Sequence, residues 1–210
     1  MEYQELSEAV IKGKVDLAKE QTTKAVDGGA DPQHVLDEGL IAAMDIVGEK
    51  FAAGAMFVPQ MLRSAKTMQA CVELLKPHFS ETGMTTKGKI VLGTVKGDLH
   101  DIGKNLVAMM LEGAGFEVVD LGVDVAPADF ARAAVDEGCQ IVGLSALLST
   151  TMPAMADTIK ELKAAGCRDG LKVMIGGAPV TGEFAEQIGA DSYAPDAGTA
   201  VSEAKALLNV

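Results

Sequence analysis

The chain lacks tryptophan, and aromatic residues make up only 4% of it, so large rings do not dominate its packing. Eleven Met together with many Ala and Gly indicate closely packed helices with adaptable filler instead. Cysteine is scarce: Cys71, Cys139 and Cys167 are odd in number, far apart and set in helical or strand patterns. That excludes a disulfide framework and points to buried thiols in a reducing cytoplasm. No apolar run is long enough to span a bilayer, and the start, Met1-Glu-Tyr-Gln-Glu-Leu6, has no basic region of a secretory leader. Positive charge is also short. Eighteen Lys and Arg stand against thirty Asp and Glu, a net charge of -12, and the basic residues are scattered. Nucleic acid is therefore an unfavourable partner. The acidity suits a soluble surface that meets complementary partners.

What is present divides into two halves. No period-two pattern appears before residue 88, and the first part reads as helices. Leu6–Lys12 is a short amphipathic start, and Val15–Val26 ends at Gly28-Gly29. Asp31-Pro32 is a strong helix entry, because Asp caps free N–H groups and Pro fits the first turn. The helix it opens places Leu36, Leu40, Met44 and Phe51 along one face and ends at Gly54. Another starts at Phe57-Val-Pro-Gln-Met61 and carries Met61, Ala65, Met68, Val72 and Leu75 in one stripe. Four such helices joined by short turns make a small bundle over residues 1–79. Residues 80–88 are polar, Thr- and Gly-bearing and without apolar period, which reads as a linker.

From Lys89 the pattern becomes strand–helix alternation. Strands are expected at Lys89–Val95, Glu117–Leu121, Gln140–Ser145, Lys172–Ile175 and Asp191–Tyr193. Helices are expected at Ile102–Glu112, Pro127–Glu137, Met152–Ala165, Thr181–Ile188 and Thr199–Leu208. Residues 89–210 are thus expected to form an α/β domain, a doubly wound parallel five-stranded sheet of flavodoxin/Rossmann-like order. In that order ligands bind between the carboxyl ends of the first and third strands. The loop leaving the first strand holds Gly97-Asp-Leu-His100. The third strand exits through Leu144-Ser-Ala-Leu-Leu-Ser149-Thr-Thr151, and the fourth ends at Ile175-Gly-Gly-Ala178.

These loops define a binding cleft around His100. Asp98, two residues earlier, can accept a ring proton, fix the tautomer and raise the basicity of the ring as a ligand. Asp101 is placed to cap the helix beginning at Ile102, and Gly103 allows close approach of a bulky group. A zinc or two-metal hydrolase site fits poorly, since His34 and His78 lie outside the cleft. There is no Gly-x-Gly-x-x-Gly after the first strand and no phosphate-loop lysine motif. One His with an Asp partner suits a metal whose other ligands come from a macrocycle, heme or corrinoid.

Asp98-x-His100-x-x-Gly103, Ser145-x-Leu147 and Gly176-Gly177, in that order, resemble the cobalamin-binding signature of B12-dependent methyltransferases and mutases. Phe51-Ala-Ala-Gly-Ala-Met-Phe-Val58-Pro-Gln-Met61 is similar to the helical cap of the cobalamin module of methionine synthase. The chain as a whole resembles the small corrinoid proteins of the methanol, methylamine, betaine and aryl-ether methyltransferase systems. The resemblance implies His100 as the lower axial ligand of cobalt, replacing the cofactor's own base, with Asp98 and Thr151 as its relay. It implies Ser145 and Ser149 lining a slot for the nucleotide tail, Gly103, Gly176 and Gly177 leaving room for it, and Leu147 serving as a packing residue. Phe51, Val58 and Met61 align with apolar cap residues that shield a methyl group, although periodicity alone makes them bundle core.

The function so implied is a non-catalytic methyl carrier holding cobalamin or a related corrinoid, methylcobalamin when loaded. It takes a methyl group onto Co(I) from a substrate:corrinoid methyltransferase. Methyl-Co(III) is then offered to a second methyltransferase whose acceptor is tetrahydrofolate or coenzyme M, and a reductive activase would be a further partner. A B12-dependent sensor needs a DNA-reading module for which the chain has no room. The cobalamin subunit of a mutase usually lacks the helical half.

Overall fold

The computed structural model describes residues 3–79 and 84–210. Residues 80–83 of the expected linker lie outside the described residues. The chain divides into two compact units: one runs to Thr86 and includes Glu112–Gly115, and the other comprises Lys87–Leu111 and Phe116–Val210.

The first unit is helical. It contains α1 (Gln4–Ile11), α2 (Val15–Asp27), α3 (Pro32–His34), a π-helical stretch (Val35–Ile41), α4 (Ala42–Ala52) and α5 (Val58–Leu75). Asp31 opens α3 as the sequence suggests, its carboxylate accepting from the Gln33 N–H at 3.3 Å. Gln60 opens α5, its side-chain oxygen accepting from the Phe57 N–H at 3.0 Å. Leu36, Leu40, Met44, Val47, Met61, Ala65, Met68 and Leu75 are all buried, so both expected stripes face the interior. The sequence reads as one regular helix from Pro32 to Gly54, but α winding is interrupted at Val35–Ile41, where the Ala42 N–H bonds to Asp37 O. There Gly39 lies against α1. A Cβ on it would come within 2.8 Å of Leu6 Cδ2, and its carbonyl accepts from Ser7 Oγ at 3.0 Å. Thr85 is tied into this unit by Gln33, which accepts from its N–H at 3.1 Å and donates to its carbonyl at 3.3 Å.

The second unit is a five-stranded parallel sheet of order β2-β1-β3-β4-β5, formed by β1 (Lys89–Thr94), β2 (Glu117–Asp120), β3 (Ile141–Ser145), β4 (Lys172–Gly176) and β5 (Ser192–Ala194). Between and after them run α6 (Ile102–Gly113), α7 (Pro127–Asp136), α8 (Pro153–Ala164), α9 (Gly182–Ile188) and α10 (Ala197–Leu208). Val91, Val142 and Val173 pack with Phe130, Met155, Ile159 and Leu162 in one cluster, while Ile90, Leu92 and Met174 are buried outside it. Strands covered on both faces account for the unbroken apolar runs in the sequence. Gly93 makes room for Phe130, because a Cβ there would lie 2.7 Å from its ring. The last helix starts at Ala197, two residues earlier than expected, because Asp196 caps it by accepting from the Thr199 N–H at 2.8 Å.

The order puts β1 next to both β2 and β3, which creates the switch-point crevice. At its edge Thr94, Ser145, Gly176 and Ala194 stand in register across four strands, a row of small side chains.

Candidate cofactor site

β1 delivers the chain into a short turn at Lys96-Gly97, and α6 removes it at Ile102. His100 lies between. Its Nδ1 is 2.6 Å from Asp98 Oδ1, and its backbone N–H donates to the same oxygen at 3.1 Å. The other oxygen, Oδ2, accepts from the Leu147 N–H at 2.7 Å, the Leu148 N–H at 3.3 Å and the Thr151 hydroxyl at 2.7 Å. Asp98 is fully buried. Burial alone pushes its carboxyl up, but the bonds from Thr151, Leu147 and His100 together outweigh it and hold the group well below the usual carboxylate range. An ionised Asp98 accepts through both oxygens, so Nδ1 of His100 carries the hydrogen. Nε2 is left without a protein partner among the described residues, on a side chain that is 50% exposed.

This is the geometry of a ligand imidazole held by a carboxylate. Among the described residues no group of three or more His, Cys, Asp or Glu side chains gathers as a cation site. His100 is thus suited to a metal that brings its remaining ligands with it. Its surroundings match a large, partly apolar group. Leu99 and Ile102 are 71% and 86% exposed, and Leu147 and Leu148, whose amides hold Asp98, are also exposed. A Cβ at Gly103 would meet nothing within 4 Å. The residues present therefore fit a corrin on His100.

The other expected site residues divide. Ser145 is half-buried in the small-residue row and Ser149 is exposed in the loop after β3. Thr151 is buried against Asp98, its hydroxyl also 2.9 Å from Leu148 O. Asp101 accepts through its carboxylate from the Asn105 side chain at 3.2 Å, while its carbonyl accepts from the Asn105 N–H at 2.7 Å. Both bonds lie in the first turn of α6, at whose start the sequence places Asp101 as a cap. Gly176 and Gly177 have a reason of their own within the fold. A Cβ on Gly176 would lie 2.8 Å from Ala194 O, and one on Gly177, at φ +132°, would lie 1.9 Å from Ala146 O. Their lack of a side chain first lets the exits of β3, β4 and β5 approach one another. In the helical unit Met61 is fully buried, Phe51 is half-buried and Val58 is exposed, so the three do not share one environment.

Sequence reasoning missed Thr94 and Asp124. The Thr94 hydroxyl donates to His100 O at 2.8 Å. Asp124, at φ +54°, accepts from the Gly97 N–H at 2.7 Å. The available signals were weak: a Thr at a strand end and a Gly-x-Asp turn before a helix.

Two family models match, each described as a B12 binding domain, over residues 2–76 and 88–204. The chain is 47% identical to dimethylamine corrinoid protein 1 of Methanosarcina acetivorans over 98% of its own length and 96% of that protein. Among solved structures it resembles the methanol:cobalamin methyltransferase complex of Methanosarcina barkeri at a TM-score of 0.84 and 30% identity, covering 98% of this chain and 78% of that one. It also resembles a cobalamin-binding protein of Desulfitobacterium hafniense at 0.81 and 33%, covering 96% of each chain.

Proposed function

The chain belongs to the B12-binding corrinoid proteins, and from that premise we propose that it carries methyl groups in a methylamine-class methyltransferase system. It is a carrier subunit, and a methyltransferase is its partner. When bound, the corrinoid supplies a cobalt centre that accepts and releases a methyl group. The observation that carries the proposal is the His100–Asp98 contact of 2.6 Å with Nε2 left available.

His100 would hold the metal through Nε2, and Asp98 fixes its tautomer and orientation. Thr151 holds Asp98 in turn, so that the trio would fix how the imidazole is presented to the metal. Ser145 and Ser149 line the slot for the nucleotide tail, with Gly103 giving it open space and Gly176 and Gly177 shaping its wall. Leu147 serves through its backbone amide on Asp98. Asp101 steadies the first turn of α6. Phe51, Val58 and Met61 are assigned to shielding of the methyl group. The methyl donor is a methylamine, supported by the dimethylamine corrinoid relative, delivered by a substrate-specific methyltransferase. A second methyltransferase with a thiol or folate acceptor receives it, and a reductive activase restores the carrier after oxidation. Among the described residues no helix is long and apolar enough to cross a membrane, and the free thiols fit a reducing cytoplasm.

The experiment is reconstitution with cobalamin, reduction, and exposure to each candidate methyltransferase with dimethylamine, trimethylamine or methanol. Spectral conversion to the methylated form identifies the donor. Stable binding of adenosylcobalamin with no methyl transfer from any partner would sink the carrier reading. In protein labelled with 15N-histidine, His100→Gly should abolish the histidine-nitrogen splitting in the EPR spectrum of the Co(II) form, as distinct from any splitting by the cofactor's own base.

A further inference from the structure

His100 sits in a stretch that a single neighbouring loop, running from Asp120 at the end of β2 to Val125, fixes at both ends. At the far end, buried Lys104 in the first turn of α6 donates to Asp120, and its side chain is only 1% exposed. At the near end the partner is Asp124. Its carboxylate accepts from the Gly97 N–H at 2.7 Å, and its own N–H donates to Asp98 O at 3.0 Å. Val125 then pairs with Val95, its N–H donating to Thr94 O at 3.0 Å. Asp124 thus grips Gly97 and the backbone of Asp98 itself, just ahead of the His100 ring.

Asp124 adopts φ +54°, one of two positive-φ non-glycine positions among the described residues. Such a conformation costs roughly 1 kcal/mol and persists where the surroundings over-determine it. Here the two bonds to Gly97 and Asp98 do so. Gly97 is itself at φ +83°, a residue free to adopt other conformations, and its N–H is held by Asp124. If that acceptor is lost, Asp98 can shift, and the ring it aims shifts with it.

Resting on the assignment of His100 as the axial ligand, we propose that Asp124 is a positioning residue for that ligand. It acts by clamping the peptides on either side of the Gly97–Asp98 bond, through the Gly97 N–H and the Asp98 carbonyl, so that His100 is preorganised before the corrinoid arrives. The clamp is separate from the Asp98–Thr151 relay, since it reaches the loop from the β2 side, whereas Leu147, Leu148 and Thr151 reach it from the β3 side.

Two variants separate the carboxylate from the backbone strain. Asp124→Gly accepts the positive φ without cost, so the protein folds, but it has no acceptor for the Gly97 N–H. Asp124→Asn tolerates the same φ and keeps a side-chain oxygen. In the protein without cofactor, Asp124→Gly should speed hydrogen exchange of the Gly97 amide roughly tenfold, and Asp124→Asn should restore protection. In protein labelled with 15N-histidine and loaded with Co(II) cobalamin, EPR reads the fraction of centres bearing the histidine nitrogen. Asp124→Gly should lower the ratio of ligated to unligated centres by about tenfold, the scale of lost support behind a ligand, with Asp124→Asn close to wild type. An Asp124→Gly protein with the wild-type ratio overturns the positioning role. If wild-type protein shows no histidine nitrogen at all, the ligand assignment fails instead, and unchanged Gly97 exchange in Asp124→Gly would separately dispose of the clamp.

Discussion

In the helical unit the buried hydroxyls of Thr22, Ser64 and Thr67 donate to the backbone carbonyls of Ala18, Ile11 and Arg63, at 2.9, 3.0 and 2.8 Å. In the sheet unit the buried carboxylate of Asp98 collects donors from two loops and passes their effect to a half-exposed histidine. The first kind of burial is a local settlement between neutral groups. Removing one disturbs a single helix turn or, for Ser64, a single link between α5 and α1. The second binds a charge to five donors, so the loops that supply them cannot move independently. The difference explains how a small protein can keep an adaptable helical half and a rigid ligand in the same chain.

The comparison can be broken most directly at its centre. Asp98→Ala leaves the Leu147 N–H and the His100 N–H without their acceptor, and urea unfolding of the cofactor-free protein should lose roughly 3 kcal/mol. A loss under about 1 kcal/mol would mean that water satisfies these groups as well as the carboxylate does. Next come two chemically identical changes, one in each unit. Thr151→Val removes a hydrogen bond to a charged group and should cost about 2 kcal/mol, whereas Thr22→Val, which removes a neutral one, should cost about 1 kcal/mol or less. Equal costs in the two variants would erase the distinction drawn here.

Acid supplies a gentler probe. The carboxyl of Asp98 is depressed in the folded protein, so it contributes stability above its ordinary value of about 4 and loses it as pH falls below that. The acid limb of a Tm-versus-pH curve should therefore flatten in Asp98→Asn. The smallest effect lies at the alkaline end. Burial pushes the Cys139 thiol up to about 11, so an unfolded thiol ionises first, and stability declines as pH rises from about 8.5 towards 11. Cys139→Ala should lessen that slope, with the Cys71 thiol, also pushed up by burial, supplying the remainder, and a wild-type curve flat to pH 11 would contradict it.

The parts of the site written in neighbouring residues were readable without a structure. Asp98 and His100 are two positions apart in one loop, and the strand that feeds them announces itself by an apolar run. Thr151 is 53 residues from Asp98, and only a family resemblance linked the two. Asp124 and Thr94 were invisible because their roles depend on a positive φ and on the path of the loop, neither of which composition encodes. Gly176 and Gly177 stand out in the sequence by their smallness, but what that smallness accommodates, the backbone of Ala146 and Ala194, depends on the order of the strands. Element boundaries in the sheet unit were legible to within a residue or two because turn residues punctuate them. The π-helical stretch was not, since Leu36 and Leu40 suit an ordinary helix equally well.

That stretch has a further consequence for how the chain can vary in length. A π turn holds one more residue than the α turn it replaces, so it is in effect an insertion absorbed without disturbing the helix on either side. A chain one residue shorter between Val35 and Ile41 could wind as continuous α-helix and still present Met44 and Val47 to the interior. The same deletion made anywhere within α4 would turn everything after it by about 100° and carry the buried stripe towards solvent. The Ser7 bond to Gly39 would be the local casualty of the tolerated deletion. Length polymorphism in this half of the molecule thus has a designated place, and it lies ahead of the helix that bears Phe51.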